Sequence, residues 1–267
     1  RWLYQNNKMF KDLKEYMVEF HKTGSKLFIQ LAAGFGRSMA INGWMSYLAK
    51  HDFLNKLASP IVDVQYSCAS ASATPNRWNE ELKSRPMTRA EIKEMVEAFG
   101  KTAKKLRDAG VDGVEIHAVH EGYLLDQFTM ANWNHRTDKY GGSLENRARF
   151  PLMIVDAIRK RCPKLPIEYR FSANDFMEGG FGPEEGIEFA KMLDGKVDLI
   201  HITSSSFFDP SCGKLFPSMF TERGVNIPLA ASIKAAVKTP VCTVGRISDL
   251  KQADEAIARG EVDMVAA

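Results

Sequence analysis

The sequence has no long hydrophobic run and no marked excess of either charge. No stretch of its 267 residues approaches the roughly 18 consecutive apolar residues that a membrane span needs. RWLYQNNKMFKDLKEY at the start lacks the apolar core of a signal peptide, so the expectation is a cytoplasmic protein with no membrane partner. Lysine and arginine number 36 against 33 aspartates and glutamates, a formal net charge of +3, and the two signs are interspersed. That excludes the basic face by which nucleic-acid-binding proteins are recognised. Cysteine is scarce: Cys68, Cys162, Cys212 and Cys242 stand far apart, without a C-x-x-C pair or a histidine at ligand spacing. Neither a disulfide framework nor a metal site is indicated, and buried thiols are expected. Also missing is any G-x-G-x-x-G after a strand, the mark of a dinucleotide-binding sheet.

What is present is an ordinary globular composition, 45% apolar and 26% charged, with length enough for one large barrel domain or two smaller ones. Short β-branched runs at 27–31, 111–117, 166–172, 197–203, 240–244 and 262–266 alternate with amphipathic patterns near 8–22, 88–109, 146–161, 183–193, 227–237 and 249–259. The runs are apolar enough to read as strands covered on both sides. Strand and helix alternating in one direction predict a parallel sheet with right-handed crossovers. Thr88-Arg89-Ala90-Glu91 has the spacing of a capping box. Pro183 with Glu184 and Glu185 behind it fits a first helical turn.

About six strands are found where a closed (β/α)8 barrel needs eight. A doubly wound open sheet is the structural alternative. On the barrel reading residues 1–267 form one barrel domain lacking its first two strands and last helix, and the parent chain is expected to extend beyond both ends. The segment at about 33–86 has little periodicity, and after a barrel strand such an insertion lies over the active site.

The densest functional segment is EIHAVHEGYLLDQFTMANWNHRTDKYGGSLENRARF. His117, His120 and Tyr123 leave one strand end within seven residues. Histidine and tyrosine are suited to hold a carbonyl oxygen and supply a proton; taken alone, they are as readily a satisfied polar cluster. His21, His51, His135 and His201 have no partner identifiable from sequence.

The segment resembles the old yellow enzymes, in particular the branch of 2,4-dienoyl-CoA reductases, enoate reductases and bile-acid-type steroid reductases. His117, His120, Gly122, Tyr123, Leu124 and Phe128 match H-x-x-(H or N) followed by G-Y-L and F, with Glu121 as one residue more than in the shorter form. Asn134, Arg136, Asp138, Tyr140, Gly141, Gly142, Ser143, Glu145, Asn146 and Arg147 match the long block that follows. Gln30, Leu31, Gly36 and Arg37 match Q-L-x-x-x-G-R with one residue added between Leu and Gly, and without the histidine that many relatives carry there. Val244, Gly245, Arg246 and Ile247 match V-G-R-I.

The resemblance implies a (β/α)8 TIM barrel that binds FMN. It gives Gln30 to the flavin pyrimidine edge, Arg170 to the region of flavin N1 and O2, and Gly245 with Arg246 to the phosphate turn. Taken alone, a core-capping amide would be the favoured reading of Gln30 and a surface ion pair that of Arg170; the ordered set of motifs reverses this. The implied activity is an ene-reductase: NADH or NADPH reduces FMN, hydride passes to the β-carbon of an unsaturated carbonyl compound, His117 and His120 polarise the carbonyl, and Tyr123 protonates the α-carbon. The partner is a small-molecule substrate, a homo-oligomer is left open, and no metal ligand set is expected. A 4Fe-4S cluster and FAD belong, on the same resemblance, to parts of the parent chain not shown. The block from Asn134 to Arg147 is expected to position rather than react. The competing class is a phosphate-binding barrel isomerase or aldolase without redox chemistry; a flavin-binding barrel that has lost catalysis is a third.

Overall fold

Six short runs become six parallel strands in the computed structural model, which describes residues 2–120, 122–206 and 216–266. They are β1 (Phe28–Ala32), β2 (Gly113–Ala118), β3 (Ile167–Ser172), β4 (Leu199–Thr203), β5 (Val241–Thr243) and β6 (Met264–Val265), hydrogen-bonded in chain order. Parallel neighbours need long crossovers. The helices Arg89–Asp108, Leu144–Arg161, Pro183–Leu193, Ile227–Lys234 and Leu250–Ala258 supply them in turn. Pairing in chain order, with no reversal of direction, is how a (β/α)8 barrel winds; a doubly wound sheet reverses at a switch point.

Residues opposite one another in register fix which side chains share a face. Gln30 lies across from Glu115 and Glu115 from Glu168, while His117 lies across from Arg170 and Arg170 from His201. Because side chains alternate along a strand, Val114, Ile116, Ile167, Tyr169, Phe171, Ile200 and Ile202 take the other face and are buried against the helices. The strands are therefore apolar on one side only, which corrects the expectation of strands covered by apolar packing on both. Ionic and amide contacts, described below, replace apolar packing on the inner face.

The helices form for the local reasons their ends announce. Glu91 N–H donates to Thr88 Oγ1 at 3.2 Å and Thr88 N–H to Glu91 Oε2 at 2.8 Å, the reciprocal box expected there. The apolar stripe of Arg89–Asp108, including Ile92 and Leu106, meets Phe150, Ile154 and Ile158 of Leu144–Arg161 in one core. Each such fully buried side chain contributes roughly 1.5–3 kcal/mol. No helix among the described residues is long and apolar enough to cross a membrane.

The segment 33–86 follows β1 and holds a 3-10 turn, Gly36–Ser38, and three short α-helices, Gly43–Lys50, Asp52–Ala58 and Val64–Ser67. A separate small core of Ile41, Val64, Cys68 and Leu82 holds them together. Cys68, Cys162 and Cys242 are buried free thiols, and burial pushes those of Cys68 and Cys242 up to about 12. Cys212 and Glu121 lie outside the described residues.

Candidate active site

The C-terminal end of β2 carries the first candidate pair. His117 is the last but one residue of the strand and 7% exposed. Beyond it the chain turns, and Leu124 N–H donates to Gly34 O at 2.9 Å, which ties the turn to the segment leaving β1. Tyr123, extended at φ −129° and ψ 157°, has its N–H on Asp126 Oδ1 at 3.2 Å, just before the helix Leu124–Thr129. This brings the Tyr123 ring edge-on to His117, with centroids 4.4 Å apart and planes at 82°.

His120 is placed differently. It is 5% exposed and left-handed at φ 64°. Its Nδ1 is 2.9 Å from Ser205 O and 3.2 Å from Ser172 Oγ, while its own N–H donates to Ser172 Oγ at 3.1 Å. Burial pushes the imidazole pKa down to about 3, with the charge of Arg170 acting in the same direction, so the ring is neutral near pH 7. A carbonyl oxygen only accepts, so Nδ1 carries the proton and Nε2 of the neutral ring is an acceptor.

The residues assigned to the cofactor surround the same strand ends. Arg170 sits across from His117 in register, and its Nε is buried without a hydrogen-bond partner among the described residues. A buried guanidinium nitrogen in that state calls for an acceptor. Gln30 lies one step below, on the exposed side of β1, and its Nε2 donates to Glu115 Oε1. After β5 the backbone turns through Gly245 at φ 140° and Arg246 at φ 51°. A Cβ on Gly245 would stand 2.8 Å from Asn226 Nδ2, whose amide is held by Val244 O at 2.7 Å, so glycine is required. Arg246 Nη1 donates to Thr221 O. An unsatisfied cationic donor, an amide at the strand edge and a glycine turn beside an arginine fit FMN, whose reduced ring is anionic and whose phosphate needs close backbone approach.

Sequence reasoning missed the inner face below these residues. His201 Nδ1 is 2.7 Å from Glu168 Oε1 and 3.8 Å from Glu115 Oε2. His117 Nδ1 stands 3.4 Å from Glu115 Oε1, near enough for charge but off the line of a good hydrogen bond. Burial alone would push the Glu115 carboxyl up; its contacts with His117 and Gln30 and the charge of Arg170 outweigh that and hold it below the usual carboxylate range. Glu115 thus touches both a cofactor-site amide and a candidate catalytic ring. The available signal was the period-two alternation of Glu115, His117, Glu168, Arg170 and His201 once the strands are paired. His21 likewise has a partner, Asp112 at 2.9 Å.

The block from Asn134 onward braces the site. Arg136 grips Asp138 through two hydrogen bonds of 3.0 and 2.8 Å and reaches Ala71 O at 3.1 Å and Met87 O at 2.8 Å. Those hydrogen bonds from Arg136 hold the Asp138 carboxyl well below the usual range. Asn134 Nδ2 donates to Phe128 O and Tyr140 O, both at 2.7 Å. Arg147 bonds Gly142 O and Thr129 O and pairs with Glu185.

Comparison with known proteins identifies the family and supports the barrel fold. A family model described as NADH:flavin oxidoreductase / NADH oxidase matches residues 3–267. A cinnamate reductase of Clostridium sporogenes is 36% identical over an alignment of 266 positions that covers 94% of this chain and 37% of that protein. Among solved structures, a 2-naphthoyl-CoA reductase in complex with 2-naphthoyl-CoA aligns with a TM-score of 0.67 at 34% identity over 74% of this chain and 30% of that one. The old yellow enzyme homologue from Zymomonas mobilis aligns with a TM-score of 0.69 at 23% identity, covering 98% of this chain and 68% of that one, and supports the barrel fold. The chain spans about a third of the length of the cinnamate reductase and of the naphthoyl-CoA reductase.

Proposed function

The chain belongs to the NADH:flavin oxidoreductase / NADH oxidase family, and we propose that it acts as an FMN-dependent ene-reductase on a carbon–carbon double bond conjugated to a carbonyl. The observation that carries this reading is the close pair of His117 and Tyr123 at the end of β2, with Arg170 across from His117 in register. Gln30 and Arg170 would hold the ring system of FMN and Gly245 with Arg246 its phosphate; when bound and reduced by NADH or NADPH, it would supply the hydride for the β-carbon of the substrate.

The chain's own groups manage the other half of the addition. As the β-carbon gains hydride, negative charge builds on the carbonyl oxygen; a ring N–H of His117 stabilises it. The α-carbon then needs a proton, which the Tyr123 hydroxyl supplies. His120 keeps its place beside them as a neutral ring bonded to Ser205, and in this tautomer it orients the pocket and offers an acceptor. Glu115 keeps Gln30 and His117 in register from below. An enoate, an enoyl thioester or a steroid enone satisfies these requirements. A phosphate-binding isomerase or aldolase is not favoured: the family is a flavin one, and none of the described strand ends offers the lysine that a Schiff base needs. The test is anaerobic. Purified full-length protein should show a flavin band that NADH or NADPH bleaches and that a conjugated carbonyl compound restores; a protein without flavin, or with flavin that no such compound reoxidises, refutes the reading.

A further inference from the structure

The residue added to the Q-L-x-x-x-G-R spacing lengthens the turn 32–35, and the chemistry above makes no use of it. That turn carries Phe35. The Phe35 ring stacks on Tyr123, with centroids 5.4 Å apart and planes at 28°, and remains 48% exposed. Its backbone is fixed: Phe35 O accepts from Gln127 Nε2 at 2.8 Å and from Ser38 N–H at 2.9 Å. Gln127 is fully buried, and its Oε1 accepts from Arg37 N–H at 3.0 Å and Ser70 Oγ at 2.8 Å. Phe35 is therefore a braced platform rather than a loop side chain at large.

Across from it, Trp78 donates its indole N–H to Ser38 O at 2.8 Å and leaves the rest of its ring 62% exposed. Arg77 backs that ring from 5.4 Å. Phe35, Met39, Trp78 and Tyr123 line a cavity of about 570 Å³. Partly exposed aromatic side chains whose polar or backbone atoms are fixed by hydrogen bonds offer pre-set stacking surface to a flat ring.

We propose that this cavity takes the group carried on the substrate's β-carbon, and that Phe35 together with Trp78 selects an aryl group there over an alkyl one. The assignment rests on the ene-reductase reading, since Tyr123 marks the reacting end of the cavity. The experiment uses the full-length holoenzyme, Phe35→Ala and Phe35→Leu, with matched β-phenyl and β-methyl substrates offered as free acids and as methyl ketones. Wild type should bind the saturated phenyl product more tightly than the methyl one in calorimetric titration. Phe35→Ala should lower the phenyl-to-methyl ratio of kcat/KM about tenfold, with Phe35→Leu between the two, at unchanged circular dichroism. Phenyl compounds bound no better than methyl ones by wild type overturn the proposal. So does an unchanged ratio in both variants, or a loss confined to NADPH oxidation, which would give the cavity to the reductant. Flavin that no conjugated carbonyl reoxidises sinks the ene-reductase reading instead, and the titration of saturated products still decides what the cavity prefers.

Discussion

His120→Asn should flatten the acid limb of the stability curve. In the folded protein burial holds this imidazole down to about pKa 3, whereas in the unfolded chain it titrates near 6.5. Between those values the unfolded chain binds a proton that the folded one refuses. Stability from the neutral buried ring is therefore complete above about pH 6.5 and is lost as pH falls toward 3, by at most about 1.4 kcal/mol per pH unit. Asparagine is a fair replacement because it tolerates the left-handed φ of 64° and does not ionise. It gives up the 2.9 Å bond to Ser205 O, a loss of roughly 1 kcal/mol at pH 7. Carboxylates titrate alike in both proteins, so the difference between their curves isolates position 120. Urea unfolding at pH 7, 6 and 5 is the assay: the variant should start less stable, meet wild type between pH 6 and 5, and be the more stable of the two by roughly 1 kcal/mol at pH 5. Parallel curves across that range would refute the buried neutral state.

Two further outcomes follow from the assigned roles. Tyr123→Phe should leave reduction of bound FMN by NADPH in place while slowing its reoxidation by a conjugated alkene by roughly 10²–10⁴-fold. A quinone needs no carbon protonation, so in stopped flow its reoxidation should be spared; equal slowing with both oxidants would make Tyr123 structural. Arg170→Ala should weaken FMN binding by about 1.5–3 kcal/mol, the worth of a charge-assisted bond, while circular dichroism stays that of wild type. Equilibrium dialysis that finds unchanged FMN affinity, together with an unchanged reduction rate, would remove Arg170 from the cofactor site.

The parts of this molecule legible in its sequence are those that local chemistry decides. Each expected strand overlaps its observed one, for instance 166–172 against Ile167–Ser172, because β-branched runs between helix caps constrain little else. His117 and Tyr123 could be paired on paper, since six residues and one turn separate them and their meeting needs no distant partner. His201 and Glu168 could not. They are 33 residues apart and touch only because β4 pairs beside β3 in a particular register, Arg170 opposite His201. Gln127 is the harder case: in LLDQFT it resembles any polar helix residue, yet it is fully buried and bonds Phe35, Arg37 and Ser70 of a segment that returns from more than fifty positions upstream.

The same distinction separates His120 from His117. Both belong to one motif, three residues apart, and sequence gives them one role. Their environments differ because Ser205, itself left-handed at φ 73°, brings its carbonyl back onto His120 from the end of β4, while the inner-face carboxylate Glu115 stands beside His117. The neutral state and tautomer of His120 come from its burial and from Ser205, a distant neighbour in sequence, not from the motif. Motif spacing can therefore name the two rings, and strand alternation can set Glu115 beside His117, whereas the tautomer of His120 requires the fold that brings Ser205 to it.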